Sequence, residues 1–139
     1  MKNEMLIIAS VCLLTTLVAR PAFAQRGGVR AEIPFNFALS GKTFRTGQYT
    51  MIAAPHAVRI EDANGTIVAV ALANEVSGDS KIANGKIVFR CYGYRCFLSE
   101  LWSPSEENGR QLPTPRIEME LRKEQKGAYF AVLGEKPTE

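Results

Sequence analysis

The chain has 139 residues, with 17 basic and 14 acidic side chains for a formal net charge of +3, one histidine and three cysteines. This length suits a single domain that buries one modest core. No basic run is longer than Arg122-Lys123, whereas a nucleic-acid-binding surface needs a concentrated basic stripe. The composition therefore argues against a nucleic-acid partner.

Residues 1–24 have the layout of a secretory signal peptide. Lys2 and the amino terminus precede an apolar run over residues 5–19, and Ala22 and Ala24 supply small residues at the −3 and −1 positions of a cleavage site. The apolar run is shorter than the roughly 20 residues that a membrane-spanning helix needs. An uncleaved membrane anchor is the alternative interpretation.

Cleavage after this segment would leave residues 25–139 as one β-rich domain and would remove Cys12. We expect an exported protein, whether periplasmic, cell-surface or secreted, with no stable membrane span after signal cleavage. Export places the two remaining cysteines, Cys91 and Cys96, where disulfides are permitted.

The first predicted strand is VRAEIPFNFAL, residues 29–39, which alternates apolar and polar side chains. A period of two is typical of a strand with one buried face. Pro34 has no N–H group, so this strand is expected to lie at a sheet edge or to carry a bulge. After a turn at residues 40–42, residues 47–53 form the next predicted strand.

A hairpin is predicted next, around Asn64-Gly65, between two runs rich in β-branched residues. This dipeptide tolerates the positive φ angles of a type I′ turn. The polar, glycine-containing residues 74–85 are predicted to be a loop, and residues 103–113 a second long loop.

The segments KIVFRCY and RCFLSELW predict a further strand pair around Gly93. If Gly93-Tyr94 is a two-residue loop, Tyr92 faces Arg95 and Cys91 faces Cys96 in a position close enough for a disulfide. The enclosed loop is very short, so the bridge should stabilise by less than the roughly 3 kcal/mol expected for a 15-residue loop. We interpret it as a staple of the hairpin tip.

The same register predicts a cluster of candidate binding residues around the hairpin tip, namely Arg90, Tyr92, Tyr94 and Arg95. Aromatic rings and guanidinium groups are suited to contact a glycan, an envelope polymer or a protein. The alternative is ordinary packing of amphipathic side chains on a sheet, since tyrosine is common in strands.

Glu100 is a further candidate, because uninterrupted alternation places it on the face of Leu98 and Trp102. A carboxylate on an apolar face needs a partner or a raised pKa and can mark a pocket. We therefore add Glu100 and Trp102 to the candidate binding residues. A bulge, an edge position or an ion pair with an arginine is the other explanation.

In residues 114–125, apolar and polar side chains alternate as in a strand, but most of the residue types are good helix formers. We favour a helix. Thr114 is placed to cap a helix that has Pro115 in its first turn, and Glu118 and Arg122 are spaced i, i+4. Residues 128–133 are then a closing strand. The prediction is a mainly β fold, a small antiparallel β-sandwich or partly closed β-barrel with one short C-terminal helix.

Two blocks, IPFNFALSGKTFRTGQYTM and YGYRCFLSELW, resemble an uncharacterised family of small, predicted-secreted bacterial β-rich proteins. The family's pattern has Ile-Pro-Phe-x-Phe, then Gly-x-Tyr, then Tyr-Gly-x-Arg-x-Phe-Leu-Ser-Glu-x-Trp. The matching positions are Ile33, Pro34, Phe35, Phe37, Gly41, Lys42, Phe44, Gly47, Tyr49, Tyr92, Gly93, Arg95, Phe97, Leu98, Ser99, Glu100 and Trp102. The resemblance implies a β-rich exported domain and no particular activity, and the two cysteines are not part of the pattern.

Catalytic and metal chemistry have little support in the sequence. Cys91, Cys96 and His56 supply three zinc ligands at most, whereas structural zinc sites use four. We therefore expect no metal, no cofactor and no catalytic residue. The favoured function is an exported non-enzymatic β module that binds an envelope polymer, a small ligand or a protein. The alternatives are a small hydrolase or transferase using Glu100 with His56 or an arginine, and a purely structural envelope component.

Overall fold

The computed structural model describes residues 28–78 and 81–136; the predicted signal peptide and Cys12 lie outside them. The described residues contain strands and one short helix. In chain order these are β1 Val29–Ile33, β2 Phe37–Leu39, β3 Lys42–Phe44, β4 Gly47–Ala54, β5 Ala57–Glu61, β6 Ile67–Leu72, β7 Asn74–Ser77, β8 Lys86–Tyr92, β9 Arg95–Trp102, β10 Asn108–Gln111, α1 Arg116–Glu124 and β11 Ala128–Leu133.

The strands form two sheets whose apolar faces enclose one core. One sheet has four strands in the order β1-β4-β5-β6, and the other has seven, ordered β11-β8-β9-β10-β7, with β2 paired to β9 and β3 paired to β2. All pairs are antiparallel except β2 with β9. The mainly β prediction is confirmed: the described strands form two separate sheets, as in the sandwich of the two predicted forms, and they do not close into a barrel. Core side chains come from both sheets: Val29, Ile33, Phe37, Met51, Val58, Ile60, Ile87, Phe89, Leu98 and Leu101.

The predicted strand over residues 29–39 is divided at Pro34. Its first half is β1, an edge strand of the four-stranded sheet, and its second half is β2 in the other sheet. Proline cannot donate a ladder hydrogen bond, so pairing ends there and the chain crosses over. The alternation survives the crossing because both sheets face the same core, and Phe37 and Leu39 are buried like Ile33.

The Asn64-Gly65 hairpin is confirmed, but its turn is not type I′. Positive φ occurs at Gly65 and not at Asn64, whereas type I′ requires it at both central residues. Asp62 organises the loop instead. Its Oδ1 accepts hydrogen bonds from the backbone N–H groups of Asn64, at 2.9 Å, and Thr66, at 3.0 Å.

The two predicted loops are wrong in part, because each contains a short strand and these strands, β7 and β10, pair with each other. Both strands are polar, so they lack the apolar alternation that identifies a strand. Arg110 of β10 anchors this end of the sandwich. Its Nε donates to the backbone oxygen of Ala54 at 2.7 Å, and its Nη1 lies 3.5 Å from Oε2 of Glu75.

The predicted helix is confirmed as α1, but its predicted cap is wrong. The N-cap residue is Pro115, without a side-chain hydrogen bond. The Thr114 hydroxyl accepts a hydrogen bond from Nη2 of Arg90 at 2.9 Å instead, so it joins the helix to the sheet. In the part of the chain that the structure describes, no helix has both the length and the apolar character needed to cross a membrane.

Candidate functional site: the stapled hairpin and an apolar groove

The hairpin between β8 and β9 has the register that the sequence predicted. Cys91 is opposite Cys96, Tyr92 is opposite Arg95, and Cys91 and Cys96 are joined by a disulfide. Gly93 provides the positive φ, 61°, of the tight turn. Both cysteines are buried in the core between the sheets, so the disulfide joins the two strands near the hairpin tip on the core side of the sheet.

The disulfide closes a short loop, so we expect its removal to lower the free energy of unfolding only modestly. The double variant Cys91→Ala and Cys96→Ala, which places no polar group in the core, should lower the free energy of unfolding by less than about 3 kcal/mol, because little loop entropy is at stake. Urea denaturation of the two proteins measures this difference. Intact mass before and after reduction of the native protein checks the bridge itself. Two free thiols in the native protein would contradict the staple.

Arg90 and Tyr92 lie on the outer face of β8, beneath α1, where they hold Glu118. This carboxylate is 0% exposed. Nε of Arg90 lies 2.8 Å from Oε1 of Glu118, although its N–H is not aligned for a hydrogen bond, and Nη2 donates to Oε2 at 3.3 Å. The hydroxyl of Tyr92 donates to Oε1 at 3.1 Å. We call Arg90, Tyr92, Thr114 and Glu118 the helix clasp.

Arg122, one turn further along α1, adds to the clasp from the solvent side. Its Nε donates to the hydroxyl of Tyr92 at 3.4 Å, and this hydrogen bond raises the pKa of the Arg122 guanidinium above its usual value. The predicted association of Glu118 with Arg122 is thus replaced by contacts of both side chains with the sheet. A buried carboxylate is tolerated only when it is paired and hydrogen-bonded, so the clasp holds the helix in place.

Sequence reasoning missed Glu118 as a buried residue. Two apolar side chains of the helix, Ile117 and Met119, are about half exposed. The position of the apolar residues therefore does not identify the buried face of this helix. The usable signal was the spacing of Glu118 and Leu121, which at i and i+3 places one acidic and one apolar side chain on the same helix face.

Glu100 and Trp102 do not lie on the face predicted for them. The β8–β9 register shifts between Val88 and Phe89, so that Leu98 faces Phe89 but Glu100 faces Val88. Ser99 is the extra residue of this bulge, which turns Glu100 and Trp102 outward and leaves Leu98 and Leu101 in the core.

The partner of Glu100 is the indole of Trp102, whose Nε1 donates to Oε2 at 2.9 Å. The ammonium of Lys86 lies 5.6 Å from the centroid of the same indole, a cation–π contact. Gly109 permits close packing, since a Cβ there would lie 2.7 Å from the ring. Glu100 is therefore satisfied by a neighbouring side chain on the outer face.

Two of the predicted binding residues, Tyr94 and Arg95, face solvent at the hairpin tip. Tyr94 is fully exposed. The Arg95 guanidinium carbon lies 6.0 Å from the ring centroid of Phe97, which positions the charge over an aromatic face. The structure separates these two exposed side chains from Arg90 and Tyr92, which are in the helix clasp.

Beside the hairpin is a groove of about 510 Å³ that the sequence did not predict. It lies between the β6 edge of one sheet and the β2–β3 hairpin of the other, and α1 begins at its end. Most of its lining is apolar: Ala38, Leu39, Val70, Ala71, Leu72, Phe97, Leu98, Leu112, Pro113, Pro115 and Ile117, with Ser40, Gly41, Thr43 and Arg95. Arg95 is the only charged residue among them.

The groove has a buried floor and an exposed apolar mouth. Leu98 and Leu112 are each 3% exposed, whereas Val70 and Leu72 at the rim are 64% and 78% exposed. The bulge positions part of the groove floor. The backbone oxygen of Ser99 accepts a hydrogen bond from the N–H of Leu112 at 2.8 Å, which holds Leu112 next to Leu98. Exposed apolar side chains gathered at a concave surface are typical of a ligand site.

His56 and Glu100, the residues of the enzymatic alternative, are not brought together. His56 is in the turn between β4 and β5 of the four-stranded sheet, where its backbone oxygen accepts a hydrogen bond from Ala73. Glu100 is on the outer face of the seven-stranded sheet. Neither residue lines the groove.

No protein-family model, curated protein or solved structure matches this chain.

Proposed function

We propose that this chain is an exported, non-enzymatic binding module that holds a small molecule with an elongated apolar body in the groove. The observation that carries this proposal is the apolar groove of about 510 Å³ with an exposed apolar rim. Small-molecule sites typically have volumes of roughly 300–1,000 Å³ and mainly apolar linings.

Burial of apolar surface supplies the affinity in this proposal. Val70 and Leu72 expose most of their side-chain surface to water, and covering such surface contributes about 25 cal/mol per Å². A ligand that spans from these rim residues to Leu98 on the floor would bury apolar surface on both sides. The groove walls belong to packed sheets, so little ordering is needed on binding.

The position of the protein outside the cytoplasm is supported by the signal-like residues 1–24 and by the Cys91–Cys96 disulfide, since such bridges persist in oxidising compartments. The motifs that resemble the family of small exported β-rich proteins support the same location. A binding module exported in this way would meet its ligand in the envelope or in the medium.

Filling the groove tests this proposal. Thr43 is an exposed lining residue of β3, so Thr43→Trp should fold normally and occupy the space. We expect it to weaken the binding of a neutral fluorescent apolar probe, such as N-phenyl-1-naphthylamine, by at least about ten-fold. The introduced indole would cover the apolar surface that the probe contacts in the parent protein. Fluorescence titration gives the dissociation constants.

The matched control is Thr66→Trp, which places the same bulk at an exposed position outside the groove. It should bind the probe like the parent protein. Equal probe binding by the parent chain and Thr43→Trp, or no binding by the parent chain, would contradict the proposed function.

A further inference from the structure

We propose that the groove ligand is a single-chain fatty acid whose carboxylate is bound by Arg95. This inference rests on the proposed function and names the ligand class for the same groove. Its starting point is the position of Arg95, the one charged member of the lining, at the hairpin end of an otherwise uncharged groove.

The guanidinium of Arg95 is available to a ligand. Within residues 28–78 and 81–136, no carboxylate lies within 4.0 Å of it and no side chain accepts a hydrogen bond from it. Arg90 and Arg110, in contrast, pair with Glu118 and Glu75. Arg45 and Arg116 also have no carboxylate partner among the described residues, but they do not line the groove. Arg95 is instead held over the ring of Phe97, which itself lines the groove.

The sign of this charge selects the ligand's head group. Among the described residues, the lining contains no aspartate or glutamate, so a cationic head group, or the cationic half of a zwitterionic one, would find no complementary charge there. A carboxylate, in contrast, matches the two-pronged guanidinium and forms charge-assisted hydrogen bonds with it. The ligand therefore combines one apolar chain with one anionic end.

The floor of the groove favours a methylene chain over a peptide. On the floor, Leu98, Leu112 and Phe97 present apolar side chains, which offer no hydrogen bonds to peptide groups. A peptide could pair only along the β6 edge, and its remaining amides would stay unpaired over the floor at a cost in free energy. A methylene chain has no such requirement.

The experiment compares dodecanoate with dodecanol, which share an apolar chain and differ in the charged end. Displacement of N-phenyl-1-naphthylamine from the oxidised protein gives both affinities. We expect dodecanoate to bind at least about ten-fold more tightly than dodecanol, as is typical of a hydrogen-bonded charge at an apolar site. Arg95→Ala should abolish this preference.

The matched control is Arg30→Ala, which removes an exposed guanidinium from β1 at the opposite sheet edge and should keep the preference. Equal binding of dodecanoate and dodecanol by the parent protein would overturn the carboxylate assignment and leave the proposed function standing. Loss of the preference in Arg30→Ala as well would overturn the role of Arg95. Failure of the probe itself to bind would overturn the proposed function.

Discussion

Replacing Glu118 with alanine is expected to lower the free energy of unfolding by about 3–5 kcal/mol, the range for breaking a buried ion pair by removing one partner. The carboxylate is fully buried, and its loss leaves the Arg90 side chain, which is only 11% exposed, without its counter-charge. The hydroxyl of Tyr92 loses its acceptor as well. Urea denaturation of the variant and the parent protein measures the effect.

Two further variants separate the ion pair from the helix itself. Glu120→Ala removes an exposed carboxylate from the same helix and should change stability by no more than about 0.5 kcal/mol. The double variant Arg90→Met with Glu118→Leu removes both charges and should recover much of the loss, since apolar replacements of buried pairs are often neutral. A loss below about 1 kcal/mol for Glu118→Ala would contradict the clasp.

The clasp also connects the hairpin to the proposed groove. Pro115 and Ile117, at the start of α1, line the groove, while Glu118 follows directly and pairs with the hairpin strand β8. Because Ile117 and Met119 are about half exposed, apolar packing does little to hold this helix. Its position therefore depends mainly on the polar contacts of the clasp, with the buried carboxylate of Glu118 at their centre.

Replacing Phe37 with alanine should also lower the free energy of unfolding by about 3–5 kcal/mol, the cost of truncating a buried phenylalanine. Phe37 is 1% exposed. Its ring centroid lies 5.3 Å from that of Phe44, in a stacked arrangement, and 5.3 Å from those of Tyr49 and Phe89, edge to face. Burial raises the pKa of the Tyr49 phenol, and the carboxylate of Asp62 adds to the shift.

The control is Phe130→Ala on β11, where the same side chain is 51% exposed. It should cost clearly less than Phe37→Ala, because less apolar surface is lost and a smaller cavity remains. Thermal or urea unfolding of both variants gives the comparison. Equal losses would show that the aromatic cluster around Phe37 is not the centre of the core.

Much of the hairpin was predictable because its information is local. A glycine suited to a tight turn and two alternating runs specify which residues face one another, so the 91–96 pairing followed from counting outward from Gly93. The helix at 116–124 was predictable for a similar reason, from propensity and a nearby proline. The face on which Glu100 lies was not predictable, since the bulge at Ser99 reverses the alternation and no residue type in the sequence indicates this bulge.

The sequence by itself determined the alternating strands, the stapled tip and the single short helix, because these depend on neighbours within a few residues. Only the tertiary structure decided that Arg90 and Tyr92 hold Glu118 under the helix while Arg95 remains at a groove mouth. It also placed β6 against the β2–β3 hairpin to form that groove. Contacts between segments distant in the chain depend on how two sheets pack, and no local pattern encodes that arrangement.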